Sequence, residues 1–177
     1  IIIMAKTNLS SVIYAGIFLN EEERSKLMEI VPLSFPKEFA HHVTLMFKPH
    51  AAYLEAIKPM FGAEVDITVI HNVVDLSIGV QCVSVKCDEL SRLSLIETAR
   101  PHITMSTEDN VSPVSSNEAL YKHEVAWNTG TKDKTLEVNA AGVNLKGTVG
   151  FYTSTLKEVT SMDNMIWAQT EEGVNVS

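Results

Sequence analysis

The sequence predicts an α+β fold of mainly antiparallel sheet arranged in two similar lobes, and three observations carry that reading. Runs of β-branched and aromatic residues recur along the whole chain. Only short amphipathic stretches separate them. A four-residue phrase occurs twice, as His42-Val43-Thr44-Leu45 and as His102-Ile103-Thr104-Met105, about 60 residues apart.

Ser11 to Leu19 is an apolar, β-rich run of the kind that forms a buried strand. Asn20 then caps a helix whose first turn carries Glu21, Glu22 and Glu23, where the helix dipole favours acid. Leu27, Met28 and Val31 make its apolar stripe, and Pro32 stops it. The strand of the first phrase closes at Lys48-Pro49, because proline cannot continue a ladder. A second helix starts near His50 and ends near Pro59. Val65 to Lys86 reads as two or three strands, and Asp88 to Ala99 as a short helix or irregular turn. After the second phrase, Glu108 to Ser116 is a polar loop placed to act on the motif before it. Ser115 and Glu118 have capping-box spacing, so a short helix is expected from there to the turn at Asn128-Thr129-Gly130. Two more strands, Thr135 to Asn139 and Gly142 to Ser154, complete a core spanning 5–160. Residues 161–177 read as a peripheral tail anchored by Met165, Ile166 and Trp167, and the whole of 1–177 as one domain.

The chain of 177 residues is 45% hydrophobic and 20% charged, with a net charge of −8. That balance suits a monomeric globular protein and argues against extended nucleic-acid binding, which needs a basic surface. A small phosphorylated ligand in a local pocket stays compatible. Cys82 and Cys87 lie five apart in an extended run and face opposite ways, so no disulfide is expected between them. The opening Ile1-Ile2-Ile3-Met4 is too short to span a membrane and lacks the features of a signal peptide. Met4 is a candidate start. A reducing, cytoplasmic setting is the expectation.

The chemistry rests on the doubled phrase. Six His and 14 Thr give about half a His-x-Thr by chance, whereas two copies with apolar second and fourth residues are expected about once in a hundred such chains. In a strand, residues i and i+2 share a face. Each phrase therefore sets an imidazole beside a hydroxyl, with Val43 and Leu45 or Ile103 and Met105 beneath. Two imidazoles across a cleft supply one general base and one general acid near neutral pH. Two threonine hydroxyls can hold the non-bridging oxygens of a phosphate between them. A phosphodiester suits this set better than acyl transfer, since neither phrase holds a Ser or Cys placed as nucleophile.

Additional candidates are Arg100 and Ser106, which share the His102 face and could touch phosphate, and Tyr14 and Tyr152 as base-stacking rings. Phe151 is a further ring for which core packing is the stronger reading. His41, adjacent to His42, is expected on the opposite face in a structural or exposed role. Lys48 reaches a distal phosphate at most. A metal site built from His41, His42 and His50 has no standard ligand spacing.

The two phrases resemble the signature of the 2H phosphoesterases, a family named for two HxT/S motifs. The resemblance implies two pseudo-symmetric lobes around a central cleft lined by the motifs. It implies His42 and His102 as the catalytic pair, Thr44 and Thr104 as phosphate holders, and chemistry without metal or cofactor. The family includes RNA cyclic phosphodiesterases, the phosphodiesterase domains of fungal and plant tRNA ligases, and viral enzymes that degrade nucleotide immune signals. A 2′,3′-cyclic phosphate of RNA or of a nucleotide is thus the first expected substrate. A cyclic or 2′-5′-linked signalling nucleotide, cleaved in a virus-infected cell, is the same-chemistry alternative. A module that sequesters a nucleotide without turnover is the alternative of another class.

Overall fold

The computed structural model describes residues 5–167. Its strands are β1 (Thr7–Asn8), β2 (Val12–Phe18), β3 (Lys37–Glu38), β4 (His42–Phe47), β5 (Glu64–Asp75), β6 (Val80–Lys86), β7 (His102–Thr107), β8 (Leu136–Thr153), β9 (Lys157–Val159) and β10 (Met165–Ile166). Its helices are α1 (Glu21–Ile30), α2 (Ala51–Ile57), α3 (Asp88–Arg92) and α4 (Ser116–Thr129). Eight strands form one antiparallel sheet in the order β3-β7-β6-β5-β8-β2-β4, with β9 beside β8, while β1 and β10 pair separately and in parallel. This is the expected α+β class.

The sheet order explains the two lobes. β5 and β8 form the central seam; β2 then β4 extend one way, and β6 then β7 the other. The strands bearing the two phrases are thus symmetric about the seam, each beginning at its histidine. Alternation holds in both: Val43, Leu45, Ile103 and Met105 are buried, while His42, Thr44, His102 and Thr104 stay half-buried on the other face. The apolar set joins the main core with Leu27 and Val31 at α1, Tyr53, Leu54 and Ile57 of α2, and Leu90 of α3. α4 covers part of the opposite face, packing Ala119 and Leu120 over Val73, Val80 and Cys82.

Asn20 caps α1 as expected, its side chain accepting from Glu23 N at 2.9 Å. Val65 to Lys86 resolves into two strands, not three. The predicted pair 135–139 and 142–154 is one strand, β8, because Gly142 keeps an extended backbone and the ladder to β5 absorbs the irregularity between Val69 and His71. α4 is a full 14-residue helix, and Ser115 does not cap it. Ser112 accepts from Val114 N instead, at the short 3-10 turn Pro113–Ser115 that leads into the helix. Both cysteines are free and buried in separate clusters, Cys82 under α4 and Cys87 in the main core. Met165 and Trp167 pack into the main core and Ile166 is half-exposed. Residues 1–4 and 168–177 of the expected start and tail lie outside the described residues. No described helix is long and apolar enough to cross a membrane.

β3 and β4 are consecutive in the chain yet lie at opposite edges of the sheet, so the sheet curls until β4 and β7 touch. The crossing takes three residues. Phe39 N and Ala40 N donate to Met105 O and Thr104 O (2.9 and 2.8 Å), after which Leu19 N donates to His41 O at 2.9 Å. Ala40 makes the switch at φ 61°, a left-handed conformation that a non-glycine residue adopts at a cost. Arg24 fastens it: Nε donates to Ala40 O at 3.0 Å and Nη2 to Phe39 O at 2.8 Å, with Glu21 and Glu38 pairing the same guanidinium.

Candidate active site

The curl sets β4 against β7 and so brings the two imidazole–hydroxyl pairs together. The imidazoles are close enough that a proton on His102 lowers the affinity of His42 for its own. Burial is the larger influence, followed by His41 and then His102, and together they bring His42 down to about 3. Burial also lowers His102, against which a hydrogen bond to Arg100 O acts upward. Both rings are therefore neutral at pH 7.

Their Nδ1 atoms are held differently. His102 Nδ1 lies 2.8 Å from Arg100 O. A carbonyl only accepts, so this nitrogen carries the hydrogen and neutral His102 presents an unprotonated Nε2. His42 Nδ1 lies 2.7 Å from His41 Nδ1, with the rings stacked at 4.9 Å. An imidazole nitrogen donates or accepts, so His41 lets His42 carry its hydrogen at either position or at both.

His41 is thus a correction. The period-2 rule set it on the opposite face, but the strand begins only at His42, and Ala40 turns the backbone just before it. No signal in the letters marks that break. Burial first and then the Arg24 guanidinium lower the His41 pKa.

The hydroxyls differ too. Thr44 Oγ1 has no hydrogen-bond partner among the described residues. Thr104 Oγ1 lies 2.8 Å from Ser116 Oγ and donates to Pro113 O at 3.4 Å. Ser116 is fully buried and comes from the end of the loop expected to act on the second motif. With Ser116 donating to it, Thr104 has its one hydrogen on Pro113 O, a long bond that a ligand oxygen could replace.

Of the aromatic candidates, Tyr14 stacks on His42 at 4.8 Å and on Tyr152 at 5.2 Å, nearly parallel at 7°. Burial first, then Tyr152 and Glu158, push its phenol well above the usual range, so it stays neutral. Phe151 belongs to the core, against Phe61 and Trp167. Ser106 does not share the face of His102 and Thr104: the ladder to β6 slips between Gln81 and Cys82, and Ser106 Oγ is fully buried, donating to Gln81 Oε1 at 2.6 Å. Arg100 precedes the strand; its side chain pairs with Glu124 at 2.6 Å and lies over the Tyr121 ring, so it contributes a backbone carbonyl to His102 rather than a free guanidinium. Lys48 turns out over Phe47, and His50 caps α2 by accepting from Tyr53 N.

Among solved structures, the chain is similar to a fungal RNA kinase, with a TM-score of 0.53 and 16% sequence identity over 82% of this chain and 46% of that one. At that identity the likeness is one of fold, and the chain spans under half the length of that protein. No family model and no curated protein sequence matches the chain.

Proposed function

We propose that the protein is a phosphodiesterase that hydrolyses a nucleotide phosphodiester, first of all a 2′,3′-cyclic phosphate, with His102 as general base and His42 as general acid. The observation that carries this reading is that two His-x-Thr strand ends from symmetric positions of one sheet are brought together where the curled sheet sets β4 against β7. Water attacks phosphorus while His102 Nε2 takes its proton. The new P–O bond forms as the bond to one ribose oxygen breaks, and that oxygen leaves with the electron pair and a proton from His42. The net change is one water added across one P–O bond. Thr44 and Thr104 donate to the non-bridging oxygens, and the Arg100 carbonyl stabilises the imidazolium that forms at His102. Neutral His102 has no hydrogen on Nε2, whereas His42, once protonated, holds one there and donates its Nδ1 hydrogen to His41. That asymmetry sets the roles.

Turnover of nucleoside 2′,3′-cyclic phosphates, 2′-5′ oligoadenylate and cyclic dinucleotides, with and without EDTA, tests the reading alongside His42→Ala and His102→Ala. We expect EDTA-resistant cleavage of at least one of these and a loss of at least 100-fold in each variant. Turnover that survives both substitutions, or tight binding with no turnover, would overturn it.

A further inference from the structure

Away from the two His-Thr pairs, the described surface has a concavity of about 520 Å³, where His71 of β5 meets His123 and Trp127 of α4, with Lys132 and Val138 at its wall. The three rings lie 5.2 to 6.3 Å apart and are tilted 49° to 72° to one another. Trp127 is 72% exposed, an unusual position for the largest apolar side chain unless something covers it.

The sheet fixes where this hollow stands relative to His102. His102 pairs with Ser84, and Ser84 pairs with His71. Residues paired across a sheet point to the same face. His102, Ser84 and His71 therefore form one row, with two strand spacings, about 10 Å, between the imidazoles. Ser84 is small, and its hydroxyl is drawn back to the backbone by accepting from His71 N at 3.1 Å. α4 walls both sites, with Ser116 at Thr104 near one end and Trp127 at His71 near the other.

We propose that this hollow binds a second nucleobase of the substrate, so that the enzyme favours substrates of at least two nucleotides over a mononucleotide. The inference rests on the phosphodiesterase reading for the identity of the first nucleotide. Flat rings recognise a base by its π-face whatever its sequence, and the ammonium of Lys132 suits an adjoining phosphate. Burial and the neighbouring His71 lower the His123 pKa, which keeps that ring neutral and apt for stacking.

The test compares adenosine 2′,3′-cyclic phosphate with the dinucleotide ApA ending in the same cyclic phosphate. Affinities are read by isothermal titration calorimetry in a His102→Ala background, where turnover is suppressed, and KM in the otherwise native protein. We expect the dinucleotide to bind about tenfold tighter, and Trp127→Ala to abolish that preference while leaving mononucleotide KM and kcat unchanged. Trp127→Phe should restore most of it. Because Trp127 is exposed, the variant is expected to fold, and circular dichroism checks this. Equal dinucleotide affinity with and without Trp127 would overturn the proposal. A Trp127-dependent preference with neither ligand cleaved would uphold the subsite while removing the phosphodiesterase reading.

Discussion

Single replacement of His42 and His102 by alanine, assayed with two kinds of leaving group, separates acid from base. With a ribose oxygen departing, each variant should lose about 10³-fold in kcat, the usual worth of a positioned proton-transfer group. With a nitrophenyl ester of the same nucleotide the departing oxygen needs no proton. His42→Ala should then recover to within about tenfold of the native rate, while His102→Ala stays about 10³-fold down. The energetics allow the assignment. Lifting His42 from about 3 to neutrality requires about 5 kcal/mol of interaction in the complex. A phosphate anion about 4 Å away supplies about 4 kcal/mol at an effective dielectric of 20, and a charge-assisted hydrogen bond adds about 2 kcal/mol. Under the proposed mechanism, substrate binding would thus protonate His42, with His41 accepting the hydrogen that this places on Nδ1. Rescue of His102→Ala rather than His42→Ala by the activated leaving group would refute the argument.

The same lowered pKa governs acid stability. His42 binds its proton at about 3 when folded and near 6.5 when unfolded, so its contribution is complete above about pH 6.5 and is lost as the pH falls towards 3. By pH 5 the loss is about 2 kcal/mol, or about 4–8 °C in Tm for a chain of this size; His42→Gln, followed by thermal melts at pH 7 and 5, should drop several degrees less. Ser106→Ala should cost about 1–2 kcal/mol in urea unfolding, by removing the bond to Gln81 Oε1 and leaving Phe35 N without its acceptor, with kcat/KM unchanged. A fall in kcat/KM beyond about threefold would place Ser106 back at the phosphate. Arg24→Gln should lower stability by about 2 kcal/mol and also lower kcat, because it frees the carbonyls of Phe39 and Ala40 beside the His41–His42 pair; activity assayed well below the new Tm separates the two effects.

What the letters carried and what they did not divides along a physical line. Strands announced themselves by β-branched runs, and the alternation of His42, Val43, Thr44 and Leu45 set faces correctly because each strand is buried on one side only. The α1 cap was readable because Asn20 and the three glutamates act within one turn. His41 was misplaced because its position depends on the left-handed turn at Ala40, which is imposed by Arg24 and by strand pairing from the other lobe. Ser106 failed for a related reason, since a slip in register is a property of two strands and not of one. The hollow at Trp127 could not be read at all, because Trp127 lies 56 positions beyond His71 in the chain and meets it only once α4 has packed on β5.

The symmetry that made the motif visible is also what makes its chemistry need explaining. Two strands at equivalent places in the sheet, each opening on His-x-Thr, would by themselves give two interchangeable imidazoles, and hydrolysis needs one that takes a proton and one that gives it. The residues that break the equivalence lie just outside the repeats. On one side a backbone carbonyl, Arg100 O, faces Nδ1 and strips Nε2 of its hydrogen. On the other a second imidazole, His41, can move its hydrogen either way. The hydroxyls follow suit, Thr44 open and Thr104 backed by Ser116. A carbonyl cannot be removed by a side-chain substitution, but His41 can. His41→Phe should therefore leave the base intact and depress kcat chiefly for poor leaving groups, steepening the dependence of rate on leaving-group basicity. An equal loss across leaving groups would mean that His41 merely packs.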